Sequence, residues 1–162
     1  MDNFTIINIQ ALTGTIAIIL GFKYWIQPRI ANLSIHAALL PFVFLNTFRY
    51  LGLSFMAQEQ FFNNYPSEFL RTTGLLDLGT AVLAIISVIA LKNKWSLALP
   101  IVWIFNIVGF GDLITAFPQF FGLELYNHNL GFIWLVFITY GLATFLSHIY
   151  IFIRLIKNVR SN

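Results

Sequence analysis

An all-α integral membrane protein with five transmembrane helices is the fold this sequence predicts, and three observations predict it. Of 162 residues, 59% are hydrophobic and 9% are charged, with a mean hydropathy of +0.81. Soluble chains carry about 25% charged residues. So little polar surface cannot cover a water-facing fold, which excludes a soluble enzyme, a nucleic-acid binder and a disordered chain. Five apolar stretches each reach the roughly 20 residues that a helix needs to cross a bilayer. The basic residues outside those stretches collect on alternate connections, as they do in multi-pass proteins. The net charge of +3 therefore describes loop placement rather than an affinity for nucleic acid.

The predicted spans run over 4–25, 34–56, 70–91, 96–117 and 130–156, and make one transmembrane domain over 1–162. The first has neither a basic leader nor a small-residue cleavage motif, so it reads as a retained helix. The second and fourth carry Pro41 and Pro100 in their predicted first turns, where a missing amide costs least. The connections are short. Those after the first and third spans hold Ile26 to Arg29 and Lys92 to Lys94, while the other two, Gln58 to Phe69 and Pro118 to Asn129, keep Phe61, Phe62, Phe120 and Phe121 as candidate caps of the bundle. Lys23, Arg29, Lys92, Lys94, Arg154, Lys157 and Arg160 fall on one side; Asp2, Glu59, Glu68 and Glu124 fall on the other with Arg71. The expected topology is N-terminus outside and C-terminus cytoplasmic. The expected location is the cell membrane as a multi-pass protein, with a bacterial inner membrane favoured over a eukaryotic organelle.

A shift of 59 positions aligns Leu40, Pro41 and Val43 with Leu99, Pro100 and Val102, Gly52 with Gly111, Ala57 with Ala116, and Gln60-Phe61-Phe62 with Gln119-Phe120-Phe121. This predicts a tandem helical-hairpin repeat, helices 1–2 and 3–4, followed by a fifth helix. Convergent membrane composition is the competing explanation.

Arg49, Asp77 and Asp112 are the charges well inside predicted spans. Each costs about 2.5–3.5 kcal/mol or more facing lipid alone, so all three are expected to face the interior. Residue counting puts them roughly 8–11 Å below the outer boundary at 1.5 Å per residue, which allows one cluster. Thr73, Thr80, Ala81 and Ala84 share a face with Asp77, Asn46 shares one with Arg49, and Gly109, Thr115 and Ala116 share one with Asp112. One arginine and two aspartates leave an excess of one negative charge. A proton on one carboxyl or a cationic ligand is expected to balance it. A buried ion pair that only fixes helix register is the plainer reading.

Asn46, Asn106 and Tyr140 complete the expected ligand- or ion-binding set, and Thr144, Ser147 and His148, on one face of helix 5, are a candidate proton path toward His36. Hydroxyls bonding to their own helix, with the Tyr and His tips paired to neighbouring helices, are the favoured explanation of that line. No cofactor is expected, haem b between His36 and His148 being a minor alternative. The sequence has no Cys, and no nucleotide-binding or hydrolase signature occurs, so no metal site is expected. His128 reads as a loop residue. The expected function is binding or transport of a small ligand or ion, coupled to protonation. A membrane-embedded enzyme acting on a lipid or another hydrophobic substrate, with Arg49 on an anionic head group, is an alternative; a non-catalytic accessory or structural subunit is another. The enzyme reading ranks below the first. The expected partners are the bilayer and a small-molecule, ion or lipid ligand, without nucleic acid, and a homo-oligomer fits the same composition.

Overall fold

The computed structural model describes residues 1–57 and 67–161, and among these every regular element is helical. Five helices are long and apolar enough to cross a membrane: α1 (Asn3–Ile30), α2 (Ile35–Met56), α3 (Glu68–Lys92), α4 (Ala98–Gly122) and α5 (Phe132–Arg160). Each predicted span falls on one of them, and the ends differ by up to about a turn or more. At the ends of α1 and α4 the difference lies at a proline. Pro28 does not end α1, because the turn before it widens into a π-helix over Phe22–Ile26, in which the Gln27 N–H bonds the Phe22 carbonyl five residues back. Ile26 to Arg29 are therefore helical rather than a loop, and the Arg29 guanidinium donates to the Trp25 carbonyl. Pro118 likewise lies inside α4, which continues to Gly122 before Glu124 turns the chain with a φ of 50°. Pro41 is deeper than the first turn expected for it, within the continuous helical stretch Ile35–Leu45.

The packed centre is α2 to α5. Helix α3 lies against the 46–56 half of α2 and against α4, and α5 closes the group against α2 and α4. Near Lys92 and Ala98, Leu39, Val43, Ala90, Val102, Ile151 and Leu155 form an apolar core with almost no exposed surface. This is called the basic end below. At the opposite end Phe120 stacks on Phe137 at 4.0 Å and Phe121 meets Phe4 edge-on at 6.3 Å, so both phenylalanines of the segment 118–129 pack across this end of the bundle. Residues 58–66, which include Phe61 and Phe62, lie outside the described residues.

Helix α1 is peripheral, touching chiefly α5 and the short turn Leu125–Asn127. A compact hairpin of α1 with α2 is not formed, whereas α3 and α4 pack closely. Gly52 is buried against Asp77, while its repeat partner Gly111 has no neighbour near its α-carbon. The two glycines thus differ in environment, whereas in the first aligned block Val43 and Val102 are both buried in one core and Pro41 and Pro100 are both exposed. Gln60 to Phe62, its third block, fall outside the described residues.

Candidate functional site

Helix α2 changes character at Asn46, from α-helix to a 3₁₀ helix over Asn46–Met56. A 3₁₀ helix has three residues per turn, so residues three apart eclipse. Asn46, Arg49 and Gly52 are accordingly the buried residues of this segment. A change from i−4 to i−3 bonding skips a backbone carbonyl, and side chains serve the carbonyls at the junction. Asn46 Nδ2 donates to Phe42 at 2.8 Å, Thr47 Oγ1 to Phe44 at 2.8 Å and the Tyr140 hydroxyl to Leu45 at 3.0 Å. Tyr140 leaves α5 from a π-helical stretch, Val136–Gly141.

That turn aims Arg49 into the centre of the four packed helices. Nε donates to Asp77 Oδ1 at 2.6 Å, and Nη2 reaches the same oxygen at 2.6 Å as well as Asp112 Oδ2. Nη1 donates to the Gly109 carbonyl at 2.8 Å and faces His148 Nε2 at 3.5 Å. Each of the three guanidinium nitrogens therefore has a partner, with four hydrogen bonds among the five N–H groups, as a charge with 2% exposure requires. Two glycines make the approach possible. A Cβ on Gly52 would fall on the Asp77 carboxylate, and one on Gly109 would come within 2.6 Å of the His148 ring and 2.7 Å of Thr80 Cγ2.

His148 is oriented by Asn106. Asn106 Nδ2 donates to the His148 carbonyl at 3.2 Å, and a carbonyl only accepts, so Oδ1 is the atom facing His148 Nδ1 at 2.7 Å. Nδ1 therefore carries the hydrogen and Nε2 turns its lone pair toward Arg49, which only donates. This geometry describes a neutral imidazole, and the excess negative charge of the cluster stays with the carboxylates.

Asp77 Oδ2 and Asp112 Oδ1 accept no hydrogen bond among the described residues. Both aspartates line a cavity of about 70 Å³ on the side of the ion pair away from the basic end. Thr73, Tyr140 and Thr144 add hydroxyls to its wall; Phe55, Phe117, Phe120 and Phe137 supply the rest. A second unsatisfied feature lies beside the cluster, since Asn46 Oδ1 and Thr80 Oγ1 are buried without a partner among the described residues.

The expected proton path divides. Thr144 Oγ1 donates to the Gly141 carbonyl at 2.9 Å and Ser147 Oγ to the Thr144 carbonyl at 2.7 Å, which is the local bonding that competes with a relay. Ser147 also accepts from Asn46 Nδ2 at 2.8 Å. His148, expected to lead away from the ion pair, belongs to it. The apolar core of the basic end then stands between His148 and His36. His36 is more than about three turns along α2 from Arg49, while an iron clamped by two imidazoles needs both at one level. The two histidines are not brought together, and the described residues hold no group of three or more His, Cys, Asp and Glu at metal-binding distance. The ion pair also lies within about a turn of each helix midpoint, deeper than residue counting from the predicted ends gives, because α3 and α4 extend past those ends.

Residue identities signalled the charges but not their bonds. The Gly109 carbonyl and the contact of His148 with Arg49 depend on helix rotation. The period-three line of Asn46, Arg49 and Gly52 was the one available signal of the 3₁₀ turn.

The site is thus a buried ion-pair centre enclosed by four of the five membrane-length helices among the described residues. A family model described as a domain of unknown function, DUF8737, matches residues 6–156, and the chain belongs to that family. No curated protein and no solved structure matches it.

Proposed function

We propose that this chain is a multi-pass protein of the cell membrane, N-terminus outside and C-terminus cytoplasmic, that binds and transports a small cation or protonatable ligand through Asp77 and Asp112. One observation carries the reading: all three guanidinium nitrogens of Arg49 are already engaged inside the protein, whereas one oxygen of each aspartate accepts no hydrogen bond among the described residues and both aspartates line the cavity. Arg49 acts as the internal counter-ion. The remaining negative charge is taken up by a proton or by the ligand, and the two compete because one carboxylate oxygen serves both. That competition is the coupling. An enzyme that grips an anionic head group with Arg49 is disfavoured, since the head group would have to displace a carboxylate from a buried charge.

Sealed liposomes containing the purified protein and a lumenal pH dye test this. Addition of inorganic monovalent cations or small alkylamines is expected to change the lumenal pH faster than in protein-free liposomes. Asp112→Asn should abolish the change while leaving helical content intact. Wild-type vesicles indistinguishable from empty ones across both panels would overturn transport.

An accessory-subunit role is the second reading, and α1 favours it: 6% of its most apolar window is buried within the chain.

A further inference from the structure

Helix α1 touches the bundle near its start, at Gly14, where a Cβ would lie 3.3 Å from the Ile138 carbonyl oxygen of α5, and around Phe22. Ile7 and Ile30 are its buried residues, and none between them reaches that state. At one end Trp134 Nε1 donates to Gln10 Oε1 at 2.7 Å and Phe4 packs on Tyr126 at 5.4 Å; toward the other, Phe22 meets Phe42 at 5.9 Å and Tyr150 at 5.1 Å. On the basic-end side of Gly14, α1 and the facing parts of α2 and α5 leave a groove of about 310 Å³ around the rings of Phe22, Phe42 and Tyr150. Ile18, Ile19 and Ile26 form one wall, and Leu45, Ala143 and Leu146 lie opposite. Its polar contributions come from Ser147, whose hydroxyl is engaged by Asn46 and the Thr144 carbonyl, and from Tyr150 at the basic end. The lining residues extend over 18–26 of α1 and 143–153 of α5, roughly 12–15 Å along the helix axes.

We propose that this groove holds an acyl chain of an anionic phospholipid from the leaflet at the basic end. Water in an apolar groove at this depth forfeits hydrogen bonds without compensation, whereas an acyl chain fills it and keeps its contacts. Charge selects the head group. Lys23, Arg29, Arg154 and Lys157 flank this end of the groove in sequence, the Arg154 guanidinium lies 6.0 Å from the Tyr150 ring centre, and segments 22–35, 90–98 and 150–161 contain no Asp or Glu. A phosphate without a competing cationic amine meets bases that have no carboxylate partner nearby in sequence. The proposal needs only that α1 and α5 lie in a bilayer. It holds for either orientation of the chain and does not depend on what Asp77 and Asp112 bind.

Native mass spectrometry of the full chain, released from detergent micelles doped with equal phosphatidylglycerol and phosphatidylcholine, tests it. One phosphatidylglycerol per chain is expected, retained over phosphatidylcholine on the order of tenfold, the preference that one or two bases near a phosphate provide. Ala143→Phe and, from the opposite wall, Ile19→Trp should each abolish retention by filling the groove. Two variants are needed because Ala143 is partly packed, whereas Ile19 is 48% exposed on a loosely held helix and its replacement leaves the fold intact. Lys23→Gln with Arg154→Gln should keep a lipid but lose the preference. Equal retention of both lipids by the wild type, or undiminished retention by folded Ile19→Trp, would overturn the proposal. A lipid-free dimer would do the same and assign the groove to a second copy.

Discussion

Removing Arg49 strands two carboxylates rather than one, because Asp77 and Asp112 both close on it. Breaking a buried pair costs about 3–5 kcal/mol, while removing all its charges can be nearly neutral. Arg49→Met is therefore expected to melt lowest in detergent, and Asp77→Asn or Asp112→Asn added to it should recover part of the loss. The variant with all three changes should approach wild type. Strictly additive losses in a thermal-denaturation series would exclude the shared ion pair. Glycines give a second contrast at this scale. Gly52→Ala sets a methyl group on the Asp77 carboxylate and should cost about 1–3 kcal/mol by overpacking. Gly111→Ala meets open space and removes a helix-interior glycine, so it should be neutral or stabilising by up to about 1 kcal/mol. Equal losses at the two positions would instead support equivalent repeat environments. The charged triad was legible because intramembrane charge is expensive and residue counting gave similar depths. The roles of Gly109 and His148 were not, since a carbonyl has no signature in the letters and a histidine's partners depend on how its helix is turned.

Helix α2 shows why the existence of a span was readable and its geometry was not. Its apolar length fixes a span, but the switch to three residues per turn at Asn46 comes from tertiary contacts, namely the close approach of Gly52 to Asp77 and the bond from Tyr140 to Leu45. Similarly, Pro28 and Pro118 read as helix ends and instead lie within helices, with the π turn ahead of Pro28 absorbing its missing amide. The start of α1 follows local rules more directly. Asp2 is its N-cap and accepts the Thr5 N–H at 2.7 Å, which holds this carboxyl below its ordinary value of 3.8. A carboxyl with a depressed folded-state value adds stability above 3.8 and loses it as the pH falls through that lower value. Hydrogen exchange in the first turn of α1, corrected for the intrinsic rate, is thus expected to quicken below this pH. Asp2→Asn should remove the pH dependence, and an unchanged profile in that variant would rule out the cap as its source.

Across the whole molecule, α1 lies at the edge and α2 to α5 enclose the ion pair, an arrangement hydropathy could not reveal because lipid-facing and core-facing residues are equally apolar. Leu39 and Val43 are fully buried while Ile104 and Ile107 are more than half exposed, and the letters do not distinguish them. The charges do give direction. Lys92 and Lys94 join α3 to α4 at the same end of the bundle as Arg154, Lys157 and Arg160 at the close of α5. Basic residues within about 15–20 residues of a span resist translocation, whereas acidic ones contribute little, so these ends are expected in the cytoplasm. Reporter domains fused after Lys94 and after Arg160 should be active only as cytoplasmic reporters, and one after Ser67 only as an exported reporter. Arg71 is the single base that opposes this arrangement, and its replacement by Gln should leave the pattern unchanged. The orientation decides access. The cavity beside Asp77 and Asp112 lies on the side away from the basic end, and the apolar core separates the ion pair from that end. With the predicted topology the carboxylates are reached from outside, and release to the cytoplasm requires the helices around Leu39, Val102 and Ile151 to part. A reversed reporter pattern would leave the ion pair intact but reverse this sequence, making the cytoplasm the loading side.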